Sequence, residues 1–290
     1  MKTLKLGIPK GSLQNATIKL FEKSGWKINV NGRSYFPNIN DETIECSLCR
    51  AQEMSRYVEN GTLDAGLTGK DWIEENESKV ETVENFIYSK TSQNPARWVV
   101  AVPKGSGIDY LEHLRGKKIA TELVNFTRRY FKEKNIDLEV EFSWGATEAK
   151  VVSGLADAIV EVTETGSTIK AHGLKIIHEI MTTNTQLIAN IESYKDPWKR
   201  EKIGQVALLL KGALRAESMV MLKMNVPEQY LDTVIKILPS LKAPTVARLY
   251  KSDWMSLETV VDSKVVRDLI PKLIALGAQG IIEYSLNKVI

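Results

Sequence analysis

Cysteine and histidine, the residues that most often hold metals or act as catalytic nucleophile and base, are scarce in this chain of 290 residues. The two cysteines, Cys46 and Cys49, form one C-x-x-C, and the histidines are His113, His172 and His178. A lone C-x-x-C can be redox-active or half of a zinc site, but it has no second pair and no H-x-x-x-H spacing beside it. The sequence therefore argues against a metal centre held by the protein, and it shows no Ser-His-Asp or Cys-His set.

The segment TIECSLCR, which contains both cysteines, has the alternation of a strand. Side chains three residues apart in a strand point to opposite faces. We therefore expect two reduced thiols without a chemical role.

The chain also lacks an excess of one charge and a long apolar run. Its 39 Lys and Arg balance 36 Asp and Glu, a net charge of +3, so charge does not indicate a nucleic-acid partner. The longest apolar runs, such as VALLL at 206–210, are too short to span a bilayer, and the N-terminus is typical of a first strand rather than a signal peptide. We expect a cytoplasmic protein with no membrane partner and two or three domains.

Strand and helix signals alternate along residues 1–95 and again from residue 97 to about 184. This rhythm is typical of α/β units with largely parallel strands. The pattern of the segment NTQLIANIESY (184–194) is helical or mixed, and the segment at 196–214 has a helical period. The tail from about residue 217 gives the order βαββαβ, which is the split arrangement of ferredoxin-like modules.

The stretch ADAIVEVTETGST, residues 156–168, joins an apolar strand, predicted to be buried through Val162, to a polar end. Gly166 allows close backbone approach, and the hydroxyls and N–H groups around it could hold a phosphate. Glu161 could accept hydrogen bonds from ribose hydroxyls or contact a metal carried by a pyrophosphate. The alternative is a loop that only caps the next helix, and residue types alone favour neither. The stretch has no Walker lysine and no G-x-G-x-x-G.

Three more polar loops follow predicted strands. Lys10 lies in PKGSL, Asp71 in LTGKDW, and Arg128 in ELVNFTRRYF. Taken singly, residues of these types in such loops more often form a helix cap or a solvated helix face than an anion contact. Ligands of parallel sheets bind beyond the carboxyl ends of the strands, so we expect the four loops to converge on one cleft.

Several motifs together resemble those of the ATP phosphoribosyltransferase family, whose members catalyse the first step of histidine biosynthesis. EAKVVSGLADAIVEVTETGSTIKAHGL has the family's spacing of Glu148, Gly154, Asp157 and Glu161. PKGSL, YVENGTLDAGLTGKDW, KIATELVNFTRRYF and the tail from MLKMNVP to the C-terminus extend the similarity over essentially the whole chain. The tail resembles the long form, which carries its own regulatory domain.

The resemblance implies an α/β, two-lobed, periplasmic-binding-protein-like (type II) catalytic core followed by a C-terminal ferredoxin-like, ACT-like βαββαβ regulatory domain. It implies catalytic domain I at 1–95 and 185–213, catalytic domain II at 96–184 and a histidine-binding domain at 214–290. The implied reaction transfers phosphoribosyl from phosphoribosyl pyrophosphate (PRPP) to N1 of ATP. Mg²⁺ would travel with the pyrophosphate, histidine would inhibit allosterically, and dimers and hexamers are expected.

The resemblance also implies three sets of site residues. The PRPP set is Glu161, Val162, Thr163, Glu164, Thr165, Gly166, Ser167 and Thr168. The ATP and pyrophosphate set is Lys10, Arg50, Asp71, Glu122 and Arg128. The histidine set is Asn225, Leu241, Ala243, Thr245, Val260 and Gly280. No metal is expected to be held by the protein alone, although Mg²⁺ could lie near Glu161.

Some residues depart from the family pattern. Ser12 replaces a common Arg, Ala51 a usual Pro, and Val124 another Pro. The first departure could weaken contact with ATP. The alternative to the enzyme is a cytoplasmic two-lobed sensor that binds an amino acid or a small anion without turnover.

Overall fold

The computed structural model describes residues 2–30, 32, 34–87, 95–241 and 243–290. The chain divides into two compact units. The first unit runs from the N-terminus to Lys19 and from Trp26 to Ala207, and the second consists of Leu20–Gly25 and Leu208–Ile290. Within the described residues, every helix is too short or too polar to cross a membrane.

Strands and helices occur along the whole of the described chain. From the N-terminus, it forms β1 (Leu4–Lys10), α1 (Gln14–Ser24), β2 (Ile28–Asn29), β3 (Asn38–Ile39), β4 (Ile44–Arg50), α2 (Ala51–Glu59), β5 (Ala65–Gly69), α3 (Lys70–Asn76) and β6 (Glu81–Phe86). The middle of the chain contains β7 (Ala96–Pro103), a 3-10 turn (Leu111–Leu114), β8 (Lys118–Thr121), α4 (Val124–Glu133), β9 (Glu139–Phe142), α5 (Thr147–Val152), β10 (Ala158–Thr163), α6 (Ser167–Ala171) and β11 (Leu174–Thr183). The remainder contains β12 (Thr185–Ala189), α7 (Ile191–Lys195), α8 (Pro197–Glu217), β13 (Met219–Pro227), a 3-10 turn (Glu228–Tyr230), α9 (Leu231–Ile237), β14 (Thr245–Arg248), β15 (Trp254–Asp262), α10 (Ser263–Ala275) and β16 (Gln279–Ser285).

The first unit contains two five-stranded sheets, which we call the first and second lobes. The first lobe has the strand order β4-β1-β5-β12-β6. Its apolar strands are covered by α2, and a side chain at Gly7 or Gly66 would overlap the Met54 side chain. The helix can lie this close to the sheet only because β1 and β5 carry glycine there.

The second lobe has the strand order β11-β7-β10-β8-β9. Its core contains Trp98, Phe131 and Val160, all fully buried. The chain reaches this sheet after β6 and leaves it after β11, when β12 pairs with β5 and β6 of the first lobe. The two sheets are therefore connected by more than one crossing of the chain.

The expectation of largely parallel strands is wrong in part. β7 runs antiparallel to β10 and β11, and β12 runs antiparallel to β5 and β6, so each sheet has a parallel part and an antiparallel part. The sequence pattern also failed to predict β6, whose polar residues hide the alternation of an edge strand. The ambiguous segment NTQLIANIESY is mixed: β12 occupies its apolar half and α7 its polar half.

The second unit contains the βαββαβ module predicted for the tail. Its sheet has the order β14-β15-β13-β16, with all neighbours antiparallel. β13 alternates strictly between buried and half-buried residues, as expected for a sheet with helices on one face. The helix α10 begins at a cap in which Asp262 accepts from the Lys264 amide, and Gly277, with a φ of 82°, follows its end. The predicted fold class is confirmed.

The two cysteines lie on β4, as the strand pattern predicted. Cys46 is buried and Cys49 is half-buried, and neither forms a disulfide. Burial raises the pKa of each thiol to about 12. A thiol with so high a pKa is a poor nucleophile, because the thiolate is the reactive form.

Candidate active site

The carboxyl ends of the central strands line a cleft between the two lobes. One cavity of about 240 Å³ is lined by both, with Ser12 and Gly69 from the first and Glu164 from the second. A neighbouring cavity of about 290 Å³ includes Arg50 and Glu122. The loops predicted to converge therefore contribute to adjoining cavities at one edge of both sheets.

Lys10 and Arg50 end the neighbouring parallel strands β1 and β4, where they are paired in register. The Lys10 ammonium lies 3.9 Å from the centre of the Tyr35 ring, and Arg50 lies over the ring of Trp144. Both line a further cavity of about 990 Å³ on the first lobe, and Arg50 also lines the 290 Å³ cavity. Their positive charge is suited to phosphate oxygens.

Asp71, in the first turn of α3, is buried and tied to the second lobe. The Trp98 indole nitrogen donates to its Oδ2 at 2.8 Å, and the Trp72 amide donates to Oδ1 at 3.0 Å. Burial raises the pKa of Asp71 in spite of these hydrogen bonds, which favour the charged form. Its carboxylate therefore connects the two lobes, since Trp98 lies on β7.

Glu122 directly follows β8 and faces the 290 Å³ cavity. Burial raises the pKa of its carboxyl, while hydrogen bonds from the Gly145 amide and the Gln52 side chain oppose that shift. Gln52 belongs to the first lobe and Gly145 to the second. A hydrogen-bond acceptor is therefore held between the lobes.

Glu161 lies near the end of β10, as the sequence predicted. Burial raises the pKa of its carboxyl to about 7, the neighbouring carboxylates of Glu148 and Glu122 add to the rise, and a hydrogen bond from the Val162 amide opposes it. Burial and neighbouring acids make this carboxyl costly to ionise. A cation or ribose hydroxyls bound beside it would stabilise the ionised form. The expectation that Val162 is buried is wrong, because this residue is 40% exposed and lines the cleft.

The loop that follows Glu161 is shaped by its own hydroxyls. Thr163 Oγ1 accepts from the Gly166 amide at 2.8 Å, and the hydroxyls of Thr165 and Ser167 are 2.9 Å apart. Gly166 has a φ of 76°, and a side chain there would crowd Ile176. This left-handed turn directs the chain into α6 and leaves the hydroxyls exposed.

The two arginines of α4 have different partners. Arg128 donates to the carbonyl oxygen of Val140 in its own lobe at 3.2 Å. Arg129 reaches the first lobe, where it pairs with Glu77 at 3.0 Å and donates to the Glu74 carbonyl. Glu75 completes this contact by accepting from the first amides of α4, those of residues 125 and 126.

Carboxylates are the protein groups in the cleft that suit Mg²⁺, which prefers oxygen ligands. Glu161 lies close enough to Glu148 and Glu122 for their charges to affect its pKa. In the part of the chain that the structure describes, however, no group of three His, Cys, Asp or Glu side chains could hold a metal. The donor set fits a Mg²⁺ ion that receives most of its oxygens from a bound substrate.

The residues of the predicted histidine set all lie in or beside the sheet of the second unit. Asn225 on β13 and Gly280 on β16 are neighbours, since a Cβ on Gly280 would be 3.6 Å from Asn225 Nδ2. Thr245 and Val260 lie on β14 and β15. Leu241 and Ala243 are exposed in the α9–β14 connection. Val260 on β15 pairs with Met221, which lies four residues before Asn225 on β13. Among the strand residues of the set, Val260 is therefore the one farthest from Asn225.

Sequence reasoning missed four cleft residues, namely Gln52, Glu75, Trp98 and Trp144. Trp98 and Glu75 contact their partners across the lobes, and no sequence pattern reports such contacts. Trp144 could have been found, because a tryptophan directly after a strand end is a ligand-contact candidate in this kind of sheet.

Two family profiles match this sequence. The profile described as ATP phosphoribosyltransferase covers residues 50–212, and the profile described as HisG, C-terminal domain, covers residues 216–288. Together they span both compact units.

Full-length relatives are similar over nearly the whole chain. ATP phosphoribosyltransferase of Desulfatibacillum aliphaticivorans is 70% identical over 287 residues, which are 99% of this chain and 98% of the relative. ATP phosphoribosyltransferase 1 of Geobacter sulfurreducens is 58% identical, with 99% of each chain covered. Among solved structures, a chain of the ATP phosphoribosyl transferase (HisG:HisZ) complex from Thermotoga maritima has a TM-score of 0.62 at 32% identity, covering 72% of this chain and 96% of that one.

Proposed function

The chain belongs to the ATP phosphoribosyltransferase family and shares its activity, and we propose that it transfers the 5-phosphoribosyl group of PRPP to N1 of ATP, releasing pyrophosphate. The reaction would be the first step of histidine biosynthesis and would take place in the cytoplasm. The observation that carries the proposal is the polar segment from Glu161 to Thr168, which forms the end of β10 and the turn into α6 at the cleft.

In this proposal the loop binds PRPP. Glu161 accepts hydrogen bonds from the ribose hydroxyls. The 5′-phosphate is bound by hydroxyls and amides of Thr165, Gly166, Ser167 and Thr168. The geometry supports these roles, because the loop is already folded by the Thr163–Gly166 hydrogen bond. A preorganised loop loses less entropy on binding than a flexible one. Val162, Thr163 and Glu164 complete the set as backbone or supporting contacts.

ATP and the pyrophosphate would bind against the other residues of the cleft. Lys10 and Arg50 supply positive charge at the ends of two adjacent strands. Glu122 supplies an acceptor, and Asp71 fixes the position of α3 through Trp98. The Arg128 guanidinium already has a partner in its own lobe, the Val140 carbonyl oxygen, and would have to reach the ligand with its remaining N–H groups.

Displacement at the anomeric carbon develops positive charge on the ribose, so catalysis needs positioning and charge stabilisation rather than a protein nucleophile. This agrees with the lack of a nucleophilic set in the sequence. The Glu161 carboxylate would face the developing positive charge. Mg²⁺ bound with PRPP would neutralise charge on the leaving pyrophosphate.

A direct assay tests the proposal. Protein supplied with ATP, PRPP and Mg²⁺ should form phosphoribosyl-ATP and pyrophosphate, detected by the absorbance of the product and by a coupled pyrophosphatase. Omission of PRPP should abolish the signal. The sensor alternative predicts binding of a small anion or amino acid without turnover, so product formation by the wild type would exclude it.

We further propose that the tail, residues 214–290, is a regulatory domain that binds histidine. The residues would be Asn225, Thr245, Val260 and Gly280 on the sheet, with Leu241 and Ala243 beside it. The catalytic domains would be 1–95 with 185–213, and 96–184. Dimers and hexamers are the proposed assemblies.

Substitution of Gly280 should remove histidine inhibition. Gly280 has a φ of 58°, which a β-branched residue avoids, and a Cβ there would approach the Asn225 amide. For Gly280→Val and Asn225→Ala, we expect the histidine concentration that halves the rate to rise at least about tenfold, equivalent to roughly 1.4 kcal/mol. The measurement is the rate of each variant as a function of histidine concentration.

The control is Lys264→Ala, at an exposed position of α10, which should keep the wild-type half-inhibiting histidine concentration. A point change is preferable to removal of residues 214–290, because α8 continues to Glu217, where it pairs with Lys23 at 2.9 Å. Unchanged inhibition in both Gly280→Val and Asn225→Ala would contradict the assignment of the histidine site.

A further inference from the structure

We propose that Trp144, together with Phe142, forms a stacking surface for the purine ring of ATP. The inference rests on the proposed function and extends it to two residues that the family resemblance did not assign. Both lie at the end of β9, in the same cavity as Arg50 and Glu122.

The exposure of these two aromatic side chains is unusual for their surroundings. Trp144 is 65% exposed and Phe142 is 57% exposed, whereas Ser143 between them is 1% exposed. Thr147, which begins α5, is equally buried. The loop therefore buries its small polar residues and presents its largest apolar ones to the cleft, and grouped exposed aromatics mark binding surfaces.

Hydrogen bonds hold the backbone of the loop that carries Trp144. Ser143 donates its amide to the Thr121 carbonyl at 3.0 Å, and Lys150 Nζ donates to the Phe142 carbonyl at 3.2 Å. Gly145 and Ala146 both have positive φ values, 66° and 49°, so the chain turns sharply just after the tryptophan. A backbone already held on both sides of the tryptophan loses less conformational freedom when a ring binds there.

The cavity has the chemistry that a 6-aminopurine requires. Its volume of about 290 Å³ is near the lower end of the usual range for small-molecule sites, roughly 300 Å³. The guanidinium of Arg50 lies over one face of the Trp144 ring, 5.2 Å from the ring centre. The purine would therefore stack on the other face of this exposed ring, with a cation close by for the phosphates. Glu122 offers a hydrogen-bond acceptor for the exocyclic amino group of the purine. A simple anion has no such donor, so this acceptor favours the purine.

Base–aromatic stacking contributes substantially to affinity in nucleic-acid sites and needs only a flat ring. Removal of the indole should therefore weaken the binding of ATP more than the binding of PRPP. For Trp144→Ala we expect the KM for ATP to rise about tenfold and the KM for PRPP to change less than about twofold. Trp144→Phe keeps a ring and should recover most of the ATP affinity.

The experiment measures both KM values for wild type, Trp144→Ala, Trp144→Phe and the control Tyr110→Ala, which removes a 67% exposed aromatic residue of the same lobe that lines none of these cavities. ATP titrations without PRPP supply a second readout, because stacking quenches indole fluorescence. The quench in wild type should exceed that in Trp144→Phe.

The inference is overturned if Trp144→Ala has the wild-type KM for ATP, if both KM values rise together, or if Trp144→Phe is as impaired as the alanine variant. Failure of the proposed function gives a different result, namely no product from the wild type. In that case the fluorescence titration alone decides whether ATP stacks on Trp144.

Discussion

Replacement of Glu161 by Gln should lower kcat/KM at least about 100-fold and, above pH 7, make the protein more stable. The loss of activity follows from removing a charge that faces the reacting ribose, since single electrostatic groups in active sites contribute about 10²–10³-fold. The gain in stability follows from the same carboxylate, which is half-buried close to Glu148 and Glu122.

The direction of the pH effect follows from the raised pKa. Burial raises the pKa of Glu161 to about 7, whereas the unfolded chain has the ordinary value near 4.5. The folded state therefore favours the protonated carboxyl, and the stability this gives is fully present below about pH 4.5 and is lost as the pH rises through 7. Glutamine never ionises, so Glu161→Gln should gain roughly 1–3 kcal/mol over wild type at pH 8 and little at pH 4.5.

Denaturant titrations at both pH values measure the stability, and the product assay measures activity. Glu192→Gln is the matched control, because Glu192 is 77% exposed in its side chain and pairs only at the surface with Lys195. It should change neither quantity appreciably. A Glu161→Gln variant that is fully active, or no more stable at pH 8 than wild type, would contradict the proposed role and environment.

Replacement of Trp98 by Phe should destabilise the protein by about 3 kcal/mol and reduce activity. The indole is fully buried and donates its only N–H to the buried carboxylate of Asp71 at 2.8 Å. Phenylalanine fills most of the space but leaves that acceptor without its strongest partner, and hydrogen bonds to buried charged groups are worth about 1.5–3 kcal/mol. The smaller ring adds a cavity cost.

A double-mutant cycle identifies the hydrogen bond as the cause. In the Asp71→Asn background the acceptor is neutral, so Trp98→Phe should cost at least about 1 kcal/mol less than in wild type. Denaturant unfolding of the four proteins gives the coupling directly. Equal costs in both backgrounds would show that Trp98 acts through packing alone and that the inter-lobe hydrogen bond contributes little.

Local patterns were sufficient for most of the fold. Apolar alternation located β1, β4, β10 and β13, and a capping residue and a terminal glycine located α10. β6 was missed because an edge strand with polar residues has no alternation to detect. The antiparallel direction of β7 and β12 was also missed, since strand direction depends on how the chain crosses between sheets, and no single segment encodes it.

Residue types at strand ends indicated where the site should lie, and family motifs indicated what it should bind. The sequence by itself determined the two α/β lobes, the βαββαβ tail and the candidate loops, because these depend on short-range periodicity and turn chemistry. Only the tertiary structure decided that Asp71 joins the lobes through Trp98, that Glu161 has a pKa of about 7, and that Trp144 faces the cleft. These properties depend on burial and on contacts between residues distant in sequence, which appear only when the chain is folded.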